Sequence, residues 1–246
     1  MRMTSARTIF VTGTDTSVGK TAVTALLLAH AQGGGVNVRA LKPFSTGGTS
    51  DEALLGALQR NSLPINFFHY AEPIAPWAAA RKRGETVALN DALRPIQEQR
   101  LSCELLLVEG AGGVLTPLGH EFTAADLITE LQAEVIVVAA NRLGVLNHTM
   151  LTVETLRNRG LRSIRIALVE HAGADASRKT NMGDLNDLLR GIPVINIPFL
   201  ENYRTDADYI RAAARQIGSV LEDLLEQVDY QAKKNALDTE AEGTFP

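Results

Sequence analysis

The chain holds one cysteine, Cys103, among 246 residues, so no internal disulfide braces it. It has no excess of positive charge. Its 24 Lys and Arg stand against 28 Asp and Glu, for a net charge of −4, which argues against a nucleic-acid surface. No window approaches about 18 uninterrupted apolar residues, so no membrane span is expected. The opening MRMTSARTIFVTG has no apolar stretch long enough for a secretory leader, and a cytoplasmic location is expected. Internal repeats are missing too, and nothing in the middle resembles a linker. What remains is an ordinary globular composition, 45% hydrophobic and 21% charged, which excludes a disordered chain, a disulfide scaffold and a collagen-like repeat. A chain of this length removes roughly 70–75% of its unfolded surface from water and needs no metal to hold a core. Cys103, in the apolar run CELLLVE, is expected to pack as a small buried hydrophobe.

Short apolar, β-branched runs alternate with helical patterns along most of the length. The strands expected are Thr8 to Val11, Val36 to Leu41, Glu104 to Val108, Val135 to Ala140, Ile164 to Val169 and Val194 to Ile197. Their continuous or nearly continuous apolar character suits strands covered on both faces. Helical spacing marks Lys20 to Ala31, Asp51 to Arg60 and Thr149 to Arg159, and one long final helix is expected over Asp206 to Val228. Strand alternating with helix implies an α/β fold, a mostly parallel sheet flanked by helices in a single domain over 1–228. The segment Asn61 to Arg83 breaks this rhythm with prolines and aromatics and is expected to run over the active face. From Asp229 the apolar periodicity fades, and 229–246 is expected to be a flexible tail. Ligands in such sheets bind where the strands end.

Directly after the first strand comes Gly13-Thr-Asp-Thr-Ser-Val-Gly19-Lys20-Thr21, a full G-x-x-x-x-G-K-[ST] pattern. Its glycines let the backbone curl so that N–H groups converge on phosphate oxygens, beside the positive end of the following helix. Lys20 then reaches the β- and γ-phosphates and Thr21 offers its hydroxyl to Mg²⁺. A nucleoside triphosphate is the expected ligand, and the fold expected is that of a P-loop NTPase.

The other strand ends narrow the chemistry. Lys42-Pro43 closes the second strand. Pro43 and the glycines that follow fix the backbone so that the ammonium lies over the phosphates, where it stabilises charge during phosphoryl transfer. Asp51 opens the next helix, either as a first-turn or N-cap carboxylate or as a Mg²⁺ ligand. Glu109 follows LLLV and precedes Gly110-Ala111-Gly112-Gly113, an acid held at the sheet's carboxyl edge with room beside it. Asn147 or Thr149 is expected to cap a further helix, and His148 to be a hydrogen-bonded structural residue rather than a base.

Together these pieces resemble the dethiobiotin synthetases. The matching stretches are FVTGTDTSVGKT at Phe10 to Thr21, LKPFSTGG at Leu41 to Gly48, SDEALL at Ser50 to Leu55, VEGAGGVLTPL at Val108 to Leu118 and GVLNHTMLT at Gly144 to Thr152. The resemblance implies an ATP-dependent ligase of biotin formation. Its substrates would be 7,8-diaminopelargonate and CO₂, joined through a carbamate that the γ-phosphoryl group activates, and ring closure would yield a cyclic urea. It implies Lys20 and Lys42 as catalytic residues and Thr21, Asp51 and Glu109 as the Mg²⁺ set. Nucleotide contacts are implied for Ser17, Val18, Gly19, Lys20, Thr21, Ala22, Asp51, Glu109, Gly110, Ala111 and Gly112, and for Pro198, Phe199 and Leu200 beside the base. Thr16, Thr46 and Asn147 are implied substrate residues, Asn147 lent by the other subunit of a homodimer. One departure bears on the base. Where the family carries an Asn-Asp pair whose amide reads adenine, this chain has Glu170-His171, so ATP or another triphosphate is the implied co-substrate. The competing reading is a P-loop ATPase switch or nucleotide sensor without ligase activity. It lacks the amphipathic basic tail that would take a partitioning ATPase to a membrane.

Overall fold

A computed structural model describes residues 6–59, 63–173, 175–201 and 203–226. The elements in chain order are β1 (Arg7–Gly13), α1 (Lys20–Gly33), β2 (Val38–Leu41), β3 (Phe44–Thr46), α2 (Ser50–Leu58), β4 (Phe68–Tyr70), α3 (Pro76–Lys82), α4 (Leu89–Arg100), β5 (Leu105–Gly113), β6 (Pro117–Gly119) and β7 (Phe122–Thr123). Then follow α5 (Ala124–Glu130), β8 (Glu134–Ala140), α6 (Val145–Asn158), β9 (Ile164–Val169), α7 (Arg178–Leu188), β10 (Val194–Ile197), α8 (Ala207–Gln216) and α9 (Gly218–Leu225). All six expected strands are present and form one sheet in the order β10-β9-β8-β1-β5-β2, every neighbouring pair parallel.

The strands are predominantly apolar because each face of the sheet is buried in its own core, with Arg39, Glu109 and Arg165 as buried charged exceptions. Along β5, Leu105 and Leu107 enter the cluster that includes Leu26, Leu27, Ile210 and Leu221 of α1, α8 and α9. Leu106 and Val108 enter the cluster with Ile96, Ile128 and Leu156 of α4, α5 and α6. That alternation is the two-residue period of a pleated strand. The edge strand β2 is closed by a side chain: Gln59 Oε1 accepts the Ala40 N–H and Gln59 Nε2 donates to the Ala40 carbonyl, both at 3.0 Å. One amide thus stands in for a neighbouring strand and blunts the exposed edge.

The structure departs from expectation in several places. The final helix is two, α8 and α9, with the break at Ile217 before Gly218, since glycine inside a helix costs about 1 kcal/mol relative to alanine. The expected extension to Val228 and the tail at 229–246 lie outside the described residues. The described part of the Asn61 to Arg83 excursion contains β4, paired with β3, and α3, whose first residue is Pro76. Cys103 is half-buried, packed against the core with its thiol on the Gln99 carbonyl at 3.7 Å. At the sheet's amino edge Glu134 of β8 accepts Arg7 Nε at 2.6 Å and Arg165 Nη1 at 3.0 Å. Arg7 and Arg165 also donate to the Leu225 and Glu226 carbonyls, fastening the end of α9. No described helix is long and apolar enough to cross a membrane.

Candidate functional site

The site forms where β1, β5 and β2 end. Between β1 and α1 the chain makes the tight loop that the glycine pattern requires. A Cβ on Gly13 would lie 2.8 Å from Val18 Cγ2 and 2.9 Å from the Asp15 carbonyl, so no other residue fits there. Lys20, buried at the start of α1, folds back across the loop and donates to the Asp15 carbonyl at 2.8 Å. Burial, reinforced by the Lys42 charge, lowers its pKa to about 8 despite Glu109 nearby.

From β5, Glu109 enters the same space fully buried. Its Oε1 accepts the Thr21 hydroxyl at 2.6 Å and the Lys42 ammonium at 2.8 Å. Lys42 also donates to Asp51 in the first turn of α2, where Thr49 rather than Asp51 holds the N-cap position. Burial pushes the Glu109 carboxyl up, with Lys42 and Thr21 opposing. Burial alone would push Lys42 down, but Glu109 and Asp51 outweigh it and hold its pKa above the usual value. The second Glu109 oxygen is buried with no hydrogen-bond partner among the described residues.

Beyond Glu109 the glycine run turns sharply. Gly112 has φ of 65°, and a Cβ there would sit 2.3 Å from Thr116 Oγ1. That hydroxyl accepts the Gly113 N–H at 2.9 Å, so Thr116 braces the loop.

A cavity of about 460 Å³ joins these parts. Thr16, Ser17, Gly19, Lys20, Thr21 and Ala22 line one side, Lys42, Thr46 and Asp51 another, and Glu109, Gly110, Ala111 and Gly112 the floor. Val18 packs beneath the loop instead, buried at 3% exposure. Pro198, Phe199 and Leu200 lie outside this cavity. Phe199 and Leu200 line a separate recess with Tyr209 and Gln216. Asn147 is also outside it, exposed on α6. Neither Asn147 nor Thr149 caps that helix, because Gly144 holds the N-cap and makes no side-chain bond. His148 is exposed, and its side chain has no hydrogen bond among the described residues. A larger recess of about 840 Å³ opens at the opposite edge of the sheet, around His30, Asn37 and Arg215; it contains none of the predicted residues.

Six lining residues were not singled out as site residues from the sequence: Ser45, Gly48, Ser50, Leu54, Tyr203 and Thr205. Ser45 stands inside the LKPFSTGG stretch, so a signal existed. Tyr203 lies in an irregular segment after β10 with no pattern to mark it. Its hydroxyl is pushed up to about 12 by burial and by the Asp51 charge. At the end of β9, Glu170 accepts Asn141 Nδ2 at 2.7 Å and pairs with Arg178 at 2.7 Å. Its carboxylate is thus committed to these two neighbours.

A family model described as an AAA domain matches residues 7–235. An ATP-dependent dethiobiotin synthetase BioD of Anaeromyxobacter sp. (strain K) is 36% identical over 87% of this chain and 97% of its own length. Its counterpart in Bacillus subtilis (strain 168) is also 36% identical, over 80% of this chain and 89% of its own. Among solved structures, a ParA family ATPase from Chlorobium tepidum covers 95% of this chain and 99% of its own with TM-score 0.52. The MinC:MinD cell division complex of Aquifex aeolicus covers 87% and 96% with TM-score 0.55. Both are 14% identical, and these likenesses show the P-loop ATPase fold alone.

Proposed function

The chain belongs to the ATP-dependent dethiobiotin synthetases, and from that membership we propose how its own residues carry out the ligation. The protein is a ligase of biotin biosynthesis that uses ATP to make dethiobiotin from 7,8-diaminopelargonate and CO₂. One amine of the substrate takes up CO₂ as a carbamate. A carbamate oxygen attacks the γ-phosphorus and ADP departs. The second amine then attacks the carbamoyl carbon, closing the ring and expelling phosphate.

The observation that carries this reading is the Lys42 ammonium, buried between Asp51 and Glu109 and facing the phosphate loop. A second fixed cation beside Lys20 neutralises charge where it develops, on the moving phosphoryl group and the carbamate. Lys20, Ser17, Gly19, Thr21 and Ala22 bind the phosphates, while Thr16 from the same loop and Thr46 from the facing wall position the diamine. The loop Gly110 to Gly112 keeps backbone close to the reactants.

Mg²⁺ fits the donor set. Glu109 has a buried oxygen without a partner, and Thr21 and Asp51 supply further hard oxygens beside it. No group of three His, Cys, Asp or Glu suited to a metal exists among the described residues. Mg²⁺ needs only one or two protein carboxylates and fills its shell with phosphate oxygens and water. When bound by Thr21, Asp51 and Glu109 it would supply charge neutralisation at the phosphates. A homodimer belongs to the same proposal. Asn147 is exposed outside the cavity, and Leu143 and Leu151 around it are 79% and 55% exposed, a face that a second copy would cover.

The test is direct. The purified protein with diaminopelargonate, bicarbonate, Mg²⁺ and ATP is expected to form dethiobiotin and ADP in equal amounts. ATP hydrolysis that proceeds without the diamine and yields no dethiobiotin would overturn the reading.

A further inference from the structure

The cavity wall beside Lys42 carries a polar set that the ligation scheme leaves unused. β3 and β4 pair in parallel with Ser45 opposite His69, so the two side chains leave the ribbon on one face. Ser45 Oγ lies 3.0 Å from His69 Nδ1 and accepts Asn66 Nδ2 at 3.0 Å. The same Asn66 amide donates to the Lys42 carbonyl at 2.8 Å, which ties the set to the backbone of the active lysine. Glu52 of α2 brings Oε1 to 3.7 Å from His69 Nδ1, and its other oxygen is buried without a partner among the described residues. Ser45 is buried and lines the cavity, whereas the His69 side chain is 37% exposed. The two groups therefore span the distance from cavity to solvent.

Ring closure needs such a path. As the amine nitrogen bonds to the carbamoyl carbon, the carbon–oxygen bond to phosphate breaks and its electron pair leaves with phosphate. The nitrogen must then shed a proton. Lys20 and Lys42 are donors, and Asp51 and Glu109 are committed to cations. A hydroxyl backed by an imidazole is a competent acceptor when the ring carries its proton on Nε2 and leaves Nδ1 free.

We propose that Ser45 and His69 form the proton relay of the ring-closing step, with Glu52 holding the charged ring. Ser45 Oγ takes the amine's proton as its own passes to His69 Nδ1, and the exposed imidazolium releases it to water. Ser45 is the catalytic group here; His69 and Glu52 act through it. This proposal rests on the ligase reading above.

Single-turnover formation of dethiobiotin, with enzyme in excess over diamine and saturating ATP and bicarbonate, tests it. His69→Ala is expected to slow this rate about 100-fold, with ATP affinity by calorimetry within about threefold, and added imidazole to restore at least a tenfold part of the loss. Ser45→Ala is expected to slow it similarly without imidazole rescue, and the double variant to be no slower than the worse single one, because the two act as a unit. His69→Asn keeps a polar partner for Ser45 but takes no proton; it is expected to be as slow as His69→Ala. Recovery in His69→Asn, or failure of imidazole to rescue a folded His69→Ala, would make the residue structural and overturn the relay. Wild-type rates in the His69 variants would give the proton to the departing phosphate. A wild-type protein that makes no dethiobiotin would instead overturn the ligase reading, and the relay with it.

Discussion

Replacing Lys42 with methionine removes a charge while keeping a side chain of similar length. In the structure this ammonium is the partner of Glu109 at 2.8 Å and of Asp51, and Glu109 is fully buried with only the Thr21 hydroxyl left to it. An unpaired buried charge costs about 3–5 kcal/mol. Glu109 escapes that cost by taking up a proton, since burial already raises its pKa and Lys42 is the largest force holding it down. A carboxyl whose folded pKa lies above its unfolded value, near about 4.3, binds its proton more tightly in the native state. The penalty is therefore absent below the unfolded pKa and grows as pH rises toward the folded one, by at most about 1.4 kcal/mol per unit. At about pH 8 the variant is expected to melt on the order of 10 °C below wild type, taking roughly 2–4 °C per kcal/mol for a chain of this size. At about pH 5.5 the gap is expected to shrink to less than half of that. Scanning calorimetry at the two pH values decides the matter: equal losses at both would refute the compensation between Lys42 and Glu109. Turnover in the same variant is expected to fall about 10²–10³-fold with ATP affinity little changed, because the charge acts mainly as the phosphoryl group moves.

Two further outcomes follow from groups already described. Lys20 titrates at about 8 because it is buried, and a bound triphosphate favours its charged form. ATP affinity is expected to decline above that pH, by at most about tenfold per unit, with uptake of up to one proton on binding. Calorimetry at about pH 9 in two buffers of different ionisation enthalpy measures that proton, and no difference between them would contradict the burial argument. Glu134 titrates the other way. Burial pushes its carboxyl up, but Arg7 and Arg165 outweigh this and hold it below the usual range. Its stabilisation is thus present above the unfolded pKa and lost as pH falls through the lower folded value. Glu134→Ala strands the fully buried Arg165 and is expected to cost about 3–5 kcal/mol near neutral pH. Urea melts showing a loss under about 1 kcal/mol would mean that water or the carbonyls of Leu225 and Glu226 suffice for both guanidinium groups.

The sequence carried the sheet because each strand is a nearly continuous apolar run; Ile164–Val169 and Val194–Ile197, each broken by one polar residue (Arg165, Asn196), have their expected bounds. The phosphate loop was legible for a related reason: nine consecutive residues hold all its constraints, down to the Gly13 position that admits no Cβ. Elements whose signal is interrupted were not recovered. α4 has Pro95 inside it, α3 opens on a proline within an aromatic stretch, and β6 and β7 are three and two residues long. Lys42, Asp51 and Glu109 could each be picked out as a polar group at an element's end. That one ammonium joins both carboxylates depends on the β2–β5 register, Leu41 opposite Val108, which brings residue 42 level with residue 109. Ser45 and His69 depend on register still more. A slip of one residue between β3 and β4 would put Phe68 or Tyr70 opposite Ser45 and leave the hydroxyl facing an aromatic ring. Nothing local to either strand selects among those registers. The stack of Phe44 on Phe68, centroids 4.6 Å apart, does so from the neighbouring position. The polar pair in the cavity wall is therefore fixed by an apolar contact one residue away, and substitutions at Phe44 or Phe68 are expected to disturb it without touching it.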